Sequence, residues 1–272
     1  YTHSTGFMQS FPSYQLNNGL GVAGRQSNDI LNLTVTNTLN YRFDVRHDHH
    51  FNVMVGQEGV DYQAEGFNVT TRGQNNDFLT NVTSGTRASS WQDNTTAYSF
   101  LSFFGRAEYN YDDRYYVELG LRTDASSRFG KDHRWGTFWS AGGAWLINKE
   151  SWFDASWVQE LKLKASIGSQ GNDNIGDFRY TDRFNIINSN NSLGTSFYSK
   201  GTKDITWETN TNFNIGAEFQ LWDRVTGSIE YYRRKTSDML FSFSVAPSLG
   251  YSSYLDNVGN MVNSCLLYTS DA

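Results

Sequence analysis

The sequence predicts an all-β fold, an antiparallel transmembrane β-barrel segment of about eight strands. Three observations carry this. Apolar and polar residues alternate at period two over runs of about 10–15 residues, against about 5–6 for strands of soluble proteins. The connections between runs alternate short and long, and barrels that cross a membrane have short turns on one side and long loops on the other. Aromatic residues gather near the ends of the runs, where amphipathic rings favour the membrane–water interface.

Residues 30–43 place Leu31, Leu33, Val35, Leu39, Tyr41 and Phe43 on one face, and Asn32, Thr34, Thr36, Thr38, Asn40 and Arg42 on the other. A short polar stretch at 44–48 leads to a strand carrying Phe51, Val53 and Val55. Residues 64–96 are polar and without sustained period, so a long loop is expected there. The next strand, 97–111, carries Leu101, Phe103, Ala107, Tyr109 and Tyr111, and a tight turn at Asp112-Asp113-Arg114 returns it through Tyr115, Val117, Leu119 and Leu121. A polar loop precedes a strand at 137–147. The connection at 148–160 has room for one helical turn near Ala155–Gln159, and a strand at 161–170 precedes a long loop at 171–206. The last pair, 207–221 and 225–236, turns through Trp222-Asp223-Arg224 and carries Phe213, Ile215 and Phe219 on its apolar face. Leu31, Leu33, Val35, Leu39, Phe213, Ile215 and Phe219 are therefore the expected lipid-facing residues.

Composition agrees. Of 272 residues 16% are aromatic, only two are Pro and the net charge is -6. The mean hydropathy of -0.58 does not weigh against a barrel, whose strands alternate lipid-facing and lumen-facing residues. No apolar run is long enough for a spanning helix. The acidic balance and the lack of a basic patch argue against a nucleic-acid partner. A lone Cys265 excludes an internal disulfide. Tyr1 opens polar sequence with no leader-like stretch, so the chain is expected to be a piece of a longer protein.

The motifs that suggest chemistry are weak. Gly19, Gly21 and Gly24 spell G-x-G-x-x-G, but a dinucleotide site needs a strand before it and a helix after it. His47, His49 and His50 lie beside Asp44 and Asp48, which reads as a solvated turn rather than a metal centre. Asn-x-Thr triplets at Asn68 and Asn81 are expected by chance in so Asn- and Thr-rich a chain. Glu58, Glu118, Glu208, Glu218 and Glu230 are scattered over several strands and define no acid–base pair; Glu118, Glu218 and Glu230 fall on the wet face. No catalytic, metal-binding or cofactor-binding residue is assigned, and no cofactor is expected.

From about residue 97 the chain resembles the SusC/RagA group of TonB-dependent receptors. The resemblance rests on Asp124-Ala125-Ser126-Ser127-Arg128-Phe129-Gly130, Arg134-Trp135-Gly136-Thr137-Phe138, Gly171-Asn172-Asp173 with Ile175-Gly176, Ile205-Thr206-Trp207-Glu208-Thr209, Gly227-Ser228-Ile229-Glu230-Tyr231-Tyr232 and Asn257-Val258-Gly259-Asn260-Met261. It implies a barrel of about 22 strands with a plug in its lumen. It also implies a bacterial outer-membrane importer of oligosaccharides or peptides, with outer-membrane lipid around it, a SusD-like surface lipoprotein above it and TonB acting through a plug that this stretch lacks. Residues 1–263 are then part of the barrel domain. The pattern stops after Asn263, and residues 264–272 are expected to be a non-native tail outside the fold. Among loop aromatics, Phe67, Phe78, Trp91, Phe178 and Tyr180 are candidates to touch substrate, with Trp91, Phe178 and Tyr180 foremost. Two other readings stay open: an outer-membrane barrel enzyme, and a soluble carbohydrate-binding β-sandwich.

The alternation has a direct consequence in the full-length parent protein. Val35→Arg should cost roughly 2–4 kcal/mol of folding free energy in lipid if Val35 lies near the midplane, and Thr36→Arg little. Equal tolerance at both positions would contradict the assignment of faces.

Overall fold

The computed structural model describes residues 1–10, 21–189, 192–251 and 253–271. Its strands are β1 (Thr2–Ser10), β2 (Gly21–Val45), β3 (His49–Gln74), β4 (Arg87–Tyr111), β5 (Tyr115–Ser126), β6 (Trp135–Leu146), β7 (Val158–Asn172), β8 (Arg183–Ser189), β9 (Ser192–Ser199), β10 (Glu208–Leu221), β11 (Val225–Ser244) and β12 (Ser253–Asp271). Ten of them form one sheet in the order β1-β2-β3-β4-β5-β6-β7-β10-β11-β12, while β8 and β9 form a separate hairpin. Sequential order is what short hairpin connections produce, and it is the pattern of an up-and-down barrel wall. The chain divides into two compact units, Tyr1–Val35 with Val60–Ser99 and Thr36–Gly59 with Phe100–Ala272.

In the larger unit, register places the apolar residues in rows across the sheet. Val117 stands opposite Gly143, Gly143 opposite Ala165, Ala165 opposite Ile215 and Ile215 opposite Tyr231. One row on, Leu119, Ala141, Ile167 and Phe213 are aligned. The large side chains of these rows are exposed, Ile215 by 49% and Leu119 by 54%. A soluble domain does not leave so broad an apolar face open to water. The alternate residues form the opposite face, where Glu118, Gly142, Ser166, Asn214 and Tyr232 align.

The only cluster of buried apolar residues among those described is small: Phe129, Phe138, Ile175, Ile205 and Trp207, with Phe100, Tyr180, Leu240 and Leu255 packed against it. It gathers at the loop ends of β5, β6, β7 and β10. Gly136 and Gly171 make room for it, since a Cβ at Gly171 would overlap the Phe138 ring and one at Gly136 would lie 3.1 Å from Trp207. The Trp207 indole Nε1 donates to the Arg134 carbonyl at 2.9 Å, which satisfies its one polar atom.

The short turns lie where the sequence puts them. Asp112 and Asp113 have φ of 48° and 49°, Trp222 and Asp223 of 53° and 55°. Each turn is closed by an N–H to C=O bond, Arg114 to Tyr111 and Arg224 to Leu221. Two successive left-handed residues match the twist of the flanking strands. Asp tolerates that region; a bulky residue such as Trp222 rarely adopts it, and here it stacks on Trp157 at 5.3 Å.

Several expectations need correction. The main sheet has ten strands, not about eight; β1 and β12 were not anticipated. The polar stretch 64–96 is largely strand, because β3 runs to Gln74 and β4 starts at Arg87. Large apolar residues are sparse there, chiefly Phe67, Val69 and Trp91, so the sustained hydrophobic alternation that reveals a strand is missing. The 171–206 loop contains the β8–β9 hairpin. The helical turn near Ala155–Gln159 is absent; a 3₁₀ turn lies at Ile147–Lys149 instead. Residues 264–271 are inside the fold. They continue β12, with Leu266 opposite Tyr231 and Tyr268 opposite Ile229. The backbone of β11 needs a partner beyond Arg233, and this segment supplies it while placing Leu266 and Tyr268 on the apolar face.

Removing the anchor of the small core tests its weight. Trp207→Ala in the full-length protein folded in lipid should cost about 3–5 kcal/mol in denaturant unfolding. A loss under about 1 kcal/mol, the size of an ordinary substitution, would show that the loop ends do not depend on it.

Candidate functional site

The polar face of the larger unit carries a chain of ion pairs. Arg106 bonds Glu108 at 2.7 Å and Glu118 at 2.9 Å, and the Asn52 amide donates to Glu108 at 2.7 Å. Lys164 bridges Glu218 at 2.8 Å and Glu230 at 3.0 Å, with Lys162 on Glu218 at 3.1 Å. Nearer the loops, Arg122 reaches Asp124 at 2.7 Å, Ser102 at 2.9 Å and Glu58 at 3.4 Å. A groove of about 770 Å³ runs over this face between Arg42, Glu108, Glu118, Lys164 and Glu230, and Gly142 and Gly216 lower its floor. Every carboxylate in this set has a cationic or amide partner. That arrangement holds neighbouring strands together and presents a wet wall; it leaves no acid–base pair poised for chemistry.

At the loop ends the residues of the SusC/RagA-like motifs are tied together by hydrogen bonds. Ser126 Oγ donates to Asp173 at 2.8 Å, and Arg128 pairs with Asp173 and Asp177. Asn257 accepts from the Thr206 N–H at 2.8 Å and donates to the Thr206 carbonyl at 2.9 Å. The buried Asn210 side-chain oxygen accepts from Arg234 Nη2 at 2.9 Å and Thr236 Oγ1 at 2.7 Å. Glu208 accepts from the Leu240 N–H and from Asn172. These bonds satisfy buried polar groups around Phe129 and Trp207, and they fix where the loops leave the sheet.

At the short-turn end lies a band of rings: Phe43, Phe51, Tyr109, Tyr111, Tyr115, Trp145, Trp152, Trp157 and Trp222. Within it Glu150 is almost wholly buried. It accepts from the Tyr115 hydroxyl at 2.5 Å, from the Trp145 indole at 2.9 Å and from Arg114 at 3.4 Å. Those bonds, the Tyr115 hydroxyl first, hold its carboxyl below the ordinary carboxylate pKa.

The residues singled out from sequence are divided between the two units. Trp91 is exposed on β4 in the smaller unit, while Phe178 and Tyr180 belong to the larger. Phe178 is exposed with a φ of 56°; Tyr180 packs against the Phe129 cluster, which accounts for its placement without a ligand. Phe67 and Phe78 are exposed in the smaller unit. Leu31, Leu33, Val35, Leu39, Phe213 and Ile215 are exposed, and Phe219 lies half-buried over Gly227. His50 bonds Asp44 at 2.6 Å and His49 bonds the Tyr109 hydroxyl at 2.8 Å. Among the described residues no group of three His, Cys, Asp or Glu is placed to hold a metal. Gly19 lies outside the described residues, and Gly21 and Gly24 are in β2. Sequence reasoning missed Glu150 and the Asn210–Arg234–Thr236 and Asn257 contacts. The one signal for Asn257 was its place in a motif of the resemblance.

One apolar face without protein cover, one ion-paired face and an aromatic band at the tight turns define a segment of an outer-membrane β-barrel wall. Comparison with known proteins makes this specific. The family described as TonB dependent receptor-like, beta-barrel, matches residues 1–264, and the chain belongs to that family, whose members are proteins of the bacterial outer membrane. It is 32% identical to the TonB-dependent receptor SusC of Bacteroides thetaiotaomicron over 78% of this chain and 22% of that protein. It is 29% identical to the TonB-dependent receptor P26 of Formosa agariphila over 84% of this chain and 24% of that one. It superposes on the RagAB peptide transporter with a TM-score of 0.92 at 27% identity, over 98% of this chain and 30% of that chain. The chain thus spans between about a fifth and a third of each of these three proteins. These relatives are receptors and transporters, not enzymes.

The Glu150 site gives a pH test with a definite sign. Its pKa is lowered by folding, so its contribution is present above the unfolded carboxylate value and is lost as pH falls through the lower folded value. Acid should therefore destabilise the full-length protein more than it does Glu150→Gln across that interval. Parallel curves of unfolding midpoint against pH would remove the role given to this carboxylate.

Proposed function

We propose that the chain forms part of the wall of a TonB-dependent nutrient importer, taking up oligosaccharides or peptides under a SusD-like lipoprotein, with TonB supplying the force. The observation that carries this reading is the pair of opposed faces, with Val117, Leu119 and Ile215 on one and the Arg106, Lys164 and Glu218 ion pairs on the other. A wall between lipid and a wet lumen requires that division. The likeness to SusC and to the RagAB peptide transporter supports import over other barrel functions. In this reading the tight turns at Asp112–Arg114 and Trp222–Arg224 face the periplasm, and residues 75–86 and 173–207 face outward. Exposed Trp91 and Phe178 are then available to a substrate or to the lipoprotein. A plug in the lumen lies against the ion-paired face, whose small residues leave it room.

Deleting the gene in its native host is the test. Growth on one class of oligosaccharide or peptide as sole nutrient should be lost and then restored by the full-length gene, with growth on monosaccharides unchanged. Unaltered growth on every oligomer tested would contradict the import reading.

A further inference from the structure

We infer that Arg233 and Lys235 form a binding site for the phosphate group of an outer-leaflet lipid. The site rests on the reading of this sheet as a wall in lipid and goes beyond import, since no imported substrate takes part. The apolar face follows the odd-numbered residues of β4 from Leu101 onward and of β5, β6, β7, β10 and β11. Ala107, Leu119, Ala141, Ile167, Phe213 and Arg233 stand opposite one another in turn across it. On that face these strands carry two charged residues, Arg233 and Lys235, both basic and both on β11. Both are exposed, and among the described residues neither has an ion pair or a side-chain hydrogen bond. On the opposite face Arg106, Arg122, Lys162, Lys164 and Arg234 each have a side-chain oxygen within 3.1 Å.

The two cations stand at the edge of the hydrocarbon. β11 leaves the tight turn at Val225. With a rise of about 3.4 Å per residue and a tilt of about 40°, Lys235 lies roughly 25 Å above that point, the height of a barrel's apolar band. The side chains change at the same level. Arg233 stands opposite Phe213, and Phe213 opposite Ile167. One step on, Lys235 stands opposite Thr211, Thr211 opposite Ser169, and then Ser237 opposite Thr209. Apolar residues thus give way to hydroxyls between the two cations. Arg233 is on the inner side of that step, and its long apolar stem lets the guanidinium rise to the boundary.

The chemistry at that level selects the ligand. A cation beside hydrocarbon needs a counter-charge, and this face of the protein supplies none, so the membrane must. Anionic headgroups are present at that depth. A guanidinium fork takes a phosphate bidentately, and an ammonium adds a compact second charge. Side chains two residues apart on one strand share a face about 7 Å apart, so one phosphate fits between them. The hydroxyls of Thr209, Thr211 and Ser237 are donors for its remaining oxygens. An acidic protein segment would have to leave water to reach this depth, whereas a lipid phosphate is already there.

The test uses the purified full-length receptor in detergent, with bound lipid counted by native mass spectrometry. The probes are bisphosphorylated lipid A and the same lipid stripped of its phosphates. The wild type should hold the phosphorylated form about tenfold more tightly or better. Arg233→Gln/Lys235→Gln should bring the two forms level, with Lys235→Gln alone as the milder variant, and Arg233→Lys/Lys235→Arg should keep the preference. Both double variants should retain the wild-type unfolding midpoint, since neither side chain has a partner in the protein. Equal binding of the two lipids by the wild type, or a preference that survives the double Gln variant, would overturn the inference. So would displacement of lipid A by an equimolar amount of inorganic phosphate, which would assign a free anion, or a wild-type dimer that the double Gln variant separates, which would assign a protein contact. Loss of growth on deletion bears on import alone, so either reading can fail without the other.

Discussion

The structure depends on one constraint: in hydrocarbon no water is present to take a backbone N–H or C=O, so each must be paired within the protein. Long antiparallel ladders are the way a strand meets it. β10 is paired along its length on both sides, with β7 from Glu208 to Leu221 and with β11 from Thr209 to Leu221. The same demand explains β12. Its last residues, Ser264 to Asp271, have little sequence in common with a designed-looking wall strand, yet they complete the ladder of β11.

Once the backbone is paired, side chains need only suit the medium on each face. The apolar face therefore has no internal core to fill, and the described residues bury little apolar surface except at Phe129, Phe138, Ile175, Ile205 and Trp207. That cluster lies at the loop ends, where long connections leave the sheet and polar backbone must be satisfied by side chains. Asn257 on Thr206, Glu208 on Leu240 and Trp207 on the Arg134 carbonyl do this. The short motifs shared with the SusC/RagA group are, in this chain, largely the parts of that loop-end fastening.

Much of this was legible in the sequence because alternation is a one-dimensional record of two different media. Phe213, Ile215 and Leu39 could be assigned to one face from spacing alone, and the Asp112 and Trp222 turns from their brevity. The record fails where both faces meet water. Along Gln63–Thr71 only Phe67 and Val69 are large apolar residues, too few for a sustained alternation, so the extensions of β3 and β4 read as loop. β3 and β4 run 26 and 25 residues, well beyond the about 9–11 that a bilayer needs. Contacts such as Asn210 with Arg234, or Glu150 with Tyr115 and Trp145, join residues distant in sequence or hidden in a connection and have no periodic signature.

The central claim is that neighbouring residues of one strand look into different media. In the full-length protein with Cys265 and any other cysteine replaced, one new cysteine at Ile215 or at Asn214 can carry a fluorophore in lipid vesicles. The account predicts quenching at Ile215→Cys by brominated acyl chains and at Asn214→Cys by aqueous iodide. The reverse pattern, or equal quenching at both positions, would contradict it.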